Sequence, residues 1–185
     1  QISDPRHIFI HGRFNHYQNV NERLKFIKTI IREGMIFLSQ EQAVQIWECL
    51  AGRAVFLDDR EYCFKWFVKL MNTEEQDLDA ECIKNFFEKQ VMKIEPTLLT
   101  NSGMTCFDLF FRNVNMKEGK MNCIRHRLIL EDINLIGLDY LWLIVINANE
   151  EVAQKAVTLL KILYTNLGPS LQTQQHVINE DFIQH

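Results

Sequence analysis

The spacing of apolar residues constrains this chain more than any other feature. Along most of its length they recur every three or four positions, and nowhere do four or more residues alternate apolar and polar between turn signals. A helix turns once in about 3.6 residues, so this spacing gathers the apolar side chains on one face. Val20, Leu24, Ile27 and Ile31 make the first such row, with Phe26 and Ile30 widening it. Gly34 then stands where a left-handed C-cap belongs. Ser39 with Gln42 forms a capping box for a second helix, which carries Val44, Trp47, Leu50 and Ala51 to Gly52. Only three prolines and seven glycines punctuate the 185 residues, which leaves little turn chemistry for hairpins.

The pattern continues downstream. Asp58 with Glu61 opens a third helix, Tyr62 to Met71, whose rows Tyr62–Trp66–Leu70 and Cys63–Phe67–Met71 make it apolar around most of its circumference. The aromatic group Tyr62, Trp66 and Phe67 therefore reads as core. Asn72 to Glu81, with Glu74, Glu75, Asp77, Asp79 and Glu81, reads as a solvated acidic loop. Ile83, Phe86, Phe87 and Val91 mark a fourth helix that Pro96 forbids from continuing. A fifth runs from Gly103 to Asn115, and Lys117 to Arg127 reads as a basic, irregular connector containing Gly119. A sixth runs from Asp132 to Asn147. Asn149 caps a seventh, which Gly168-Pro169 ends, and Asn179 reads as the cap of a last helix.

About seven or eight helices joined by short loops can form a bundle or a superhelical stack. The even spread of apolar residues and the helix at the chain's end favour the stack, although no strict internal period is visible. The expected fold is all-α, with an extended lead-in over residues 1–18 and a helical-repeat segment over 19–185 that is cut out of a longer protein.

A formal net charge of −4 argues against a nucleic-acid surface, which needs clustered Lys and Arg; the expected partners are proteins. No membrane partner is expected either. The longest apolar run, Leu141 to Ile146, falls far short of the roughly 18 residues of a span, and the first residues carry no secretory pattern. Five cysteines, an odd number with no Cys-x-x-Cys pair, point to free thiols in a reducing, cytoplasmic setting.

One stretch carries possible chemistry. Asn101-Ser102-Gly103-Met104-Thr105-Cys106-Phe107 resembles the cysteine box of ubiquitin-specific proteases, and a cysteine at a helix N-terminus can have its thiolate stabilised by the backbone N–H groups. The stretch departs from that box on both sides, with Leu99-Thr100 before it and Asp108-Leu109 after it. The histidines that could serve as base, His126, His176 and His185, lack the matching context. The expected role of Cys106 is a half-buried helix residue, with no catalytic residue in the chain. A catalytic Cys106 with His126 or His176 as base is the alternative reading, and a purely architectural spacer is another. His7, His11 and His16 lie in the lead-in without a cysteine or carboxylate at ligand spacing, so no metal or other cofactor is expected. Lys117, Lys120, Arg125, His126 and Arg127 form a modest basic patch, read as a solvated connector ahead of a docking site for an acidic partner.

Longer stretches carry a wider resemblance. Gln45-Ile46-Trp47 with Cys49-Leu50-Ala51, Asp59 to Trp66, Leu135 to Trp142, Leu163 to Pro169 and Ile178 to Gln184 together resemble the region ahead of the catalytic domain in the giant ubiquitin-specific proteases of the fat facets class. The likeness covers most of residues 20–184. It implies a full-length cysteine protease that removes ubiquitin from substrates. It also implies an armadillo/HEAT-like α-solenoid here, acting as a non-catalytic scaffold toward ubiquitinated substrates, adaptors or other repeats of the same chain, with the nucleophile and histidine beyond residue 185.

Overall fold

Helix signals in the sequence become helices wherever a cap and an apolar stripe coincide. The computed structural model describes residues 4–10, 12, 14–72, 80–125 and 127–184, and packs as two units, Gln1–Ile94 and Glu95–His185. In the first unit, a turn at Pro5–His7 and the paired strands β1 (Phe9–Ile10) and β2 (Phe14–Asn15) lead into α1 (His16–Glu33). The lead-in expected to be extended to residue 18 thus turns helical at His16. The Asn15 side chain accepts from the Gln18 N–H while the Gln18 side chain accepts from the Asn15 N–H, a capping box that the sequence reading overlooked.

Gly34 does follow α1, but with φ −79° it is right-handed; the left-handed residue is Met35, at φ +46°. Glycine is needed at 34 for another reason: a Cβ there would stand 2.6 Å from the Ile30 carbonyl oxygen. The expected Ser39–Gln42 box caps α2 (Gln40–Trp47), which loosens into a π-helical turn over Glu48–Gly52. The third helix, α3 (Leu57–Met71), begins well before Tyr62 and has Phe56 as its N-cap without a side-chain cap bond, so Asp58 and Glu61 make no box. The fourth, α4 (Ala80–Lys89), ends well short of Pro96 and passes through single turns at Val91–Lys93 and Pro96–Leu98.

Aromatic packing holds this unit. The Trp47 ring lies 5.6 Å from Phe64 and 5.2 Å from both Phe67 and Phe86, and Phe67 stacks on Phe86 at 5.0 Å. Each fully buried ring of this kind contributes about 1.5–3 kcal/mol of transfer free energy, before the geometric gain of edge-to-face contacts. The buried Trp66 indole N–H donates to the Leu24 carbonyl at 2.8 Å and so fastens α3 to α1.

The second unit centres on α5 (Asn101–Lys117), which the Thr100 hydroxyl caps by accepting from the Gly103 N–H. Phe107, Phe110 and Phe111 are fully buried along it. The connector expected to be irregular after α5 is instead an antiparallel hairpin, β3 (Met121–Ile124) and β4 (Arg127–Leu130), in the register Met121↔Leu130 to Ile124↔Arg127. An exception to the all-helical expectation, it is held by Leu128 and Leu130, which are buried, and by hydrogen bonds from Leu130 N–H to the Asn166 carbonyl and from Gly168 N–H to the Leu130 carbonyl. Next comes α6 (Leu138–Asn147), which starts at Gly137 with φ +90° and not at Asp132. The Asn149 cap of α7 (Glu150–Thr165) forms as expected. A single turn, α8 (Pro169–Gln172), and α9 (Gln175–Gln184) complete the unit; Asn179 lies inside α9 and does not cap it.

Candidate functional site

An exposed apolar surface of the first unit grows out of the α1–α2 corner. Ile27 and Ile31 from α1, Leu38 from the loop and Ile46 from α2 line a groove of about 330 Å³, with Ile30, Ile36 and Phe37 on one side and Gln42 and Gln45 on the other. Leu38 is buried and anchors the loop, which lifts its neighbours into solvent: Met35 is 90% exposed and Phe37 69%. On α1, Phe26 is 66% exposed, and Ile30 also faces water. These residues were expected only to widen the core stripe of α1. In the structure Ile30 lines the open groove and Phe26 faces solvent, while α3 covers α1 elsewhere through Leu24 and Trp66. Contiguous apolar exposure on this scale marks interaction surfaces more often than it marks plain solvent-facing helix. The polar lining is neutral on the α2 side, so selection there rests on shape and apolar contact.

Cys106 has a different character. It sits in the second turn of α5 at 1% exposure, more deeply buried than the half-buried position expected. Desolvation pushes its thiol far above the ordinary range. A nucleophilic cysteine needs a thiolate and a path to substrate, and this one has neither. The helix N-terminus is taken up by Thr100, and Asp108 is tied to Arg112 at 2.6 Å. Of the candidate bases, His176 stands exposed on α9 against Glu180 at 3.2 Å, while His126 and His185 lie outside the described residues.

The other candidates resolve individually. His16 Nε2 lies 2.8 and 3.0 Å from the two Asp59 carboxylate oxygens, and its ring packs edge-on against Phe56 at 5.4 Å. This pair fixes the start of α1 on α3. His7 is exposed near Asp4, and His11 lies outside the described residues. Among the described residues no group of three or more His, Cys, Asp or Glu could hold a metal ion. Of the basic patch, Lys120 donates to the Asn134 carbonyl, and Arg125 at φ +50° and Arg127 are exposed at the hairpin tip, with His126 between them outside the described residues. Glu74, Glu75, Asp77 and Asp79 also lie outside the described residues; Glu81 falls in α4. In the aromatic group, Trp66 and Phe67 are core as expected and Tyr62 is partly exposed.

Comparison with known proteins places this geometry. Residues 1–115 match the family model described as the UBP24/USP9X/USP9Y ARM repeat, a span that includes both the α1–α2 groove and Cys106. The chain is 50% identical over 181 residues to ubiquitin carboxyl-terminal hydrolase 9X of Mus musculus, covering 98% of this chain and 7% of that protein. It is 47% identical over 180 residues to the probable ubiquitin carboxyl-terminal hydrolase FAF of Drosophila melanogaster, covering 97% of this chain and 6% of that protein. Against ubiquitin carboxyl-terminal hydrolase 24 of Homo sapiens the identity is 32% over 177 residues, 94% of this chain and 7% of that protein. The chain therefore spans only 6–7% of the length of these curated relatives. No helix among the described residues is long and apolar enough to cross a membrane.

Proposed function

The chain belongs to the UBP24/USP9X/USP9Y ARM-repeat family, and on that footing we propose that it is a protein-interaction scaffold within a large cytoplasmic deubiquitinase. The relatives are ubiquitin carboxyl-terminal hydrolases, and this segment corresponds to their ARM-repeat region and not to a catalytic domain. The catalytic cysteine of the full-length thiol protease lies elsewhere in its sequence. Residues 19–185 serve as one stretch of helical repeat. They hold ubiquitinated substrates or adaptors, or neighbouring repeats of the same protein, in reach of the distant active site.

The observation that carries this reading is the open α1–α2 groove, with Ile30, Ile36 and Phe37 exposed along it. An enzyme site needs converging polar groups; this surface offers apolar area and shape, which is what a protein partner uses. The test compares full-length protein with an Ile36→Asp/Phe37→Asp variant. Cleavage of a small fluorogenic ubiquitin conjugate should stay within about twofold, while cleavage of ubiquitinated protein substrates should fall about tenfold or more, as expected when an apolar hot spot is lost. Equal effects on both substrates would contradict a docking role. Labelling of the isolated chain by a ubiquitin active-site probe, lost in Cys106→Ala, would overturn the non-catalytic reading altogether.

A further inference from the structure

Between α5 and α7 lies a second groove, of about 240 Å³, built differently from the first. Its floor is Met104, Leu159 and Ile162, and its walls carry Thr105, Asp108 and Arg112 from α5 with Lys155 and Thr158 from α7. The two helices run in the same direction. At one end the Asn149 amide, which caps α7, donates to the Leu99 carbonyl just ahead of α5 at 3.2 Å. At the other, the residue after α7 accepts from Leu130 of the hairpin that follows α5, at 2.8 Å. Lys155 therefore stands toward the Met104 end and Arg112 toward the Ile162 end. Seven or so residues of helical rise set these two cations about 10 Å apart along the groove.

Their bonding leaves both cations with spare capacity. Arg112 uses Nε on Asp108 at 2.6 Å, which leaves its two terminal nitrogens as donors. Lys155 makes no ion pair among the described residues. The Thr105 and Thr158 hydroxyls spend their protons on the Asn101 and Gln154 carbonyls at 3.0 and 2.8 Å, so their oxygens remain as acceptors. Asp108 is the one carboxylate in the lining, against two cations, so the lining carries a net positive charge.

We propose that the α5–α7 groove binds an extended acidic peptide segment, with one carboxylate on Arg112, a second on Lys155 and an apolar side chain between them on Leu159. An extended chain advances about 3.1–3.4 Å per residue, so carboxylates about three positions apart match the spacing of the cations. The threonine oxygens accept from the peptide's backbone N–H groups. Two cations are too few for a nucleic-acid backbone, whose recognition needs a larger basic surface, whereas they suffice to orient a short acidic strand. This proposal rests on different residues, in a different unit, from the α1–α2 groove, and stands or falls independently of it.

Fluorescence polarisation on the 185-residue chain tests it. The probe is a fluorescein-labelled octapeptide with two glutamates about three positions apart around a leucine; its comparator has both glutamates replaced by lysine. The glutamate peptide should bind saturably and the lysine peptide should not. Arg112→Gln and Lys155→Gln should each weaken binding about five- to tenfold, and added salt should weaken it further. Asp108→Asn, which frees Arg112 and removes the opposing charge, should tighten binding severalfold. Arg125→Gln/Arg127→Gln at the hairpin and Phe37→Asp in the first unit should leave it unchanged. Absence of saturable binding, equal binding of both peptides, insensitivity to the Arg112 and Lys155 variants, or loss through the hairpin variant would each overturn the proposal.

Discussion

Asn115 shows how much a single buried polar residue can organise. With no solvent access at the end of α5, its amide donates to the Phe111 carbonyl at 2.8 Å and the Ile136 carbonyl at 3.0 Å, and its oxygen accepts from the Ile136 N–H at 2.8 Å. It thereby closes the loop between β4 and α6 onto α5. Asn115→Leu strands the Ile136 N–H and carbonyl away from water, and should cost about 2–4 kcal/mol, read as a lower urea midpoint at unchanged slope. The cysteines make a second prediction at this scale. Cys49 and Cys123 are exposed while Cys63 and Cys106 are buried, so a thiol reagent should modify the first two within minutes and reach the others only on unfolding. Phenols make a third. Tyr17 is pushed up to about 12, first by desolvation and then by its bond to Asp58, and burial pushes Tyr140 higher still. A phenol that keeps its proton when folded but loses it near pH 10 when unfolded stabilises the native state fully below about pH 10, and less as pH rises beyond it. Denaturant midpoints should therefore fall from about pH 10 upward, with a shallower fall in Tyr17→Phe.

Among the elements, the hairpin was least visible in the sequence, and the reason is physical. Of β3, Met121 alone is buried while Asn122, Cys123 and Ile124 all face outward, so the period of two by which a half-buried strand is recognised never develops. The two residues between the strands in the sequence include none of the Gly or Asn that announce a tight hairpin turn. What fixes the hairpin is distant chain: the 166–168 segment pairing with Leu130. Gly168 belongs to that contact. A Cβ there would meet the Leu130 carbonyl oxygen at 2.9 Å and the Glu131 carboxylate closer still. Gly168→Ala should cost about 1–3 kcal/mol, seen as a lower thermal midpoint, where a glycine needed only as a helix stop would tolerate alanine. Helix caps were legible where side chain and apolar stripe coincide locally, as at Ser39 and Asn149, and misread at Asp58, which already lies inside a helix that starts at Leu57 behind Phe56.

At the scale of the whole molecule the question is which apolar faces the chain covers itself. Phe26 and Ile30 read in the sequence like Leu24 and Ile31, yet only the latter pair is buried. Phe37 is among the exposed residues, so Phe37→Asp should lower binding of an apolar dye while shifting the thermal midpoint by only about 2–3 °C, since a solvent-facing substitution changes stability by a few tenths of a kcal/mol. A loss of many degrees would show that Phe37 is packed. The sequence by itself determined the helical class, most helix positions, the burial of Trp66 and Phe67, and the family, because each is written in local spacing or in residues that stay together along the chain. Tertiary structure alone decided the hairpin, the complete burial of Cys106, the open groove at the α1–α2 corner and the placing of Arg112 and Lys155 along one groove. Each of those depends on which distant segment covers a given face, and an apolar or charged residue carries no mark of its cover until the chain has folded around it.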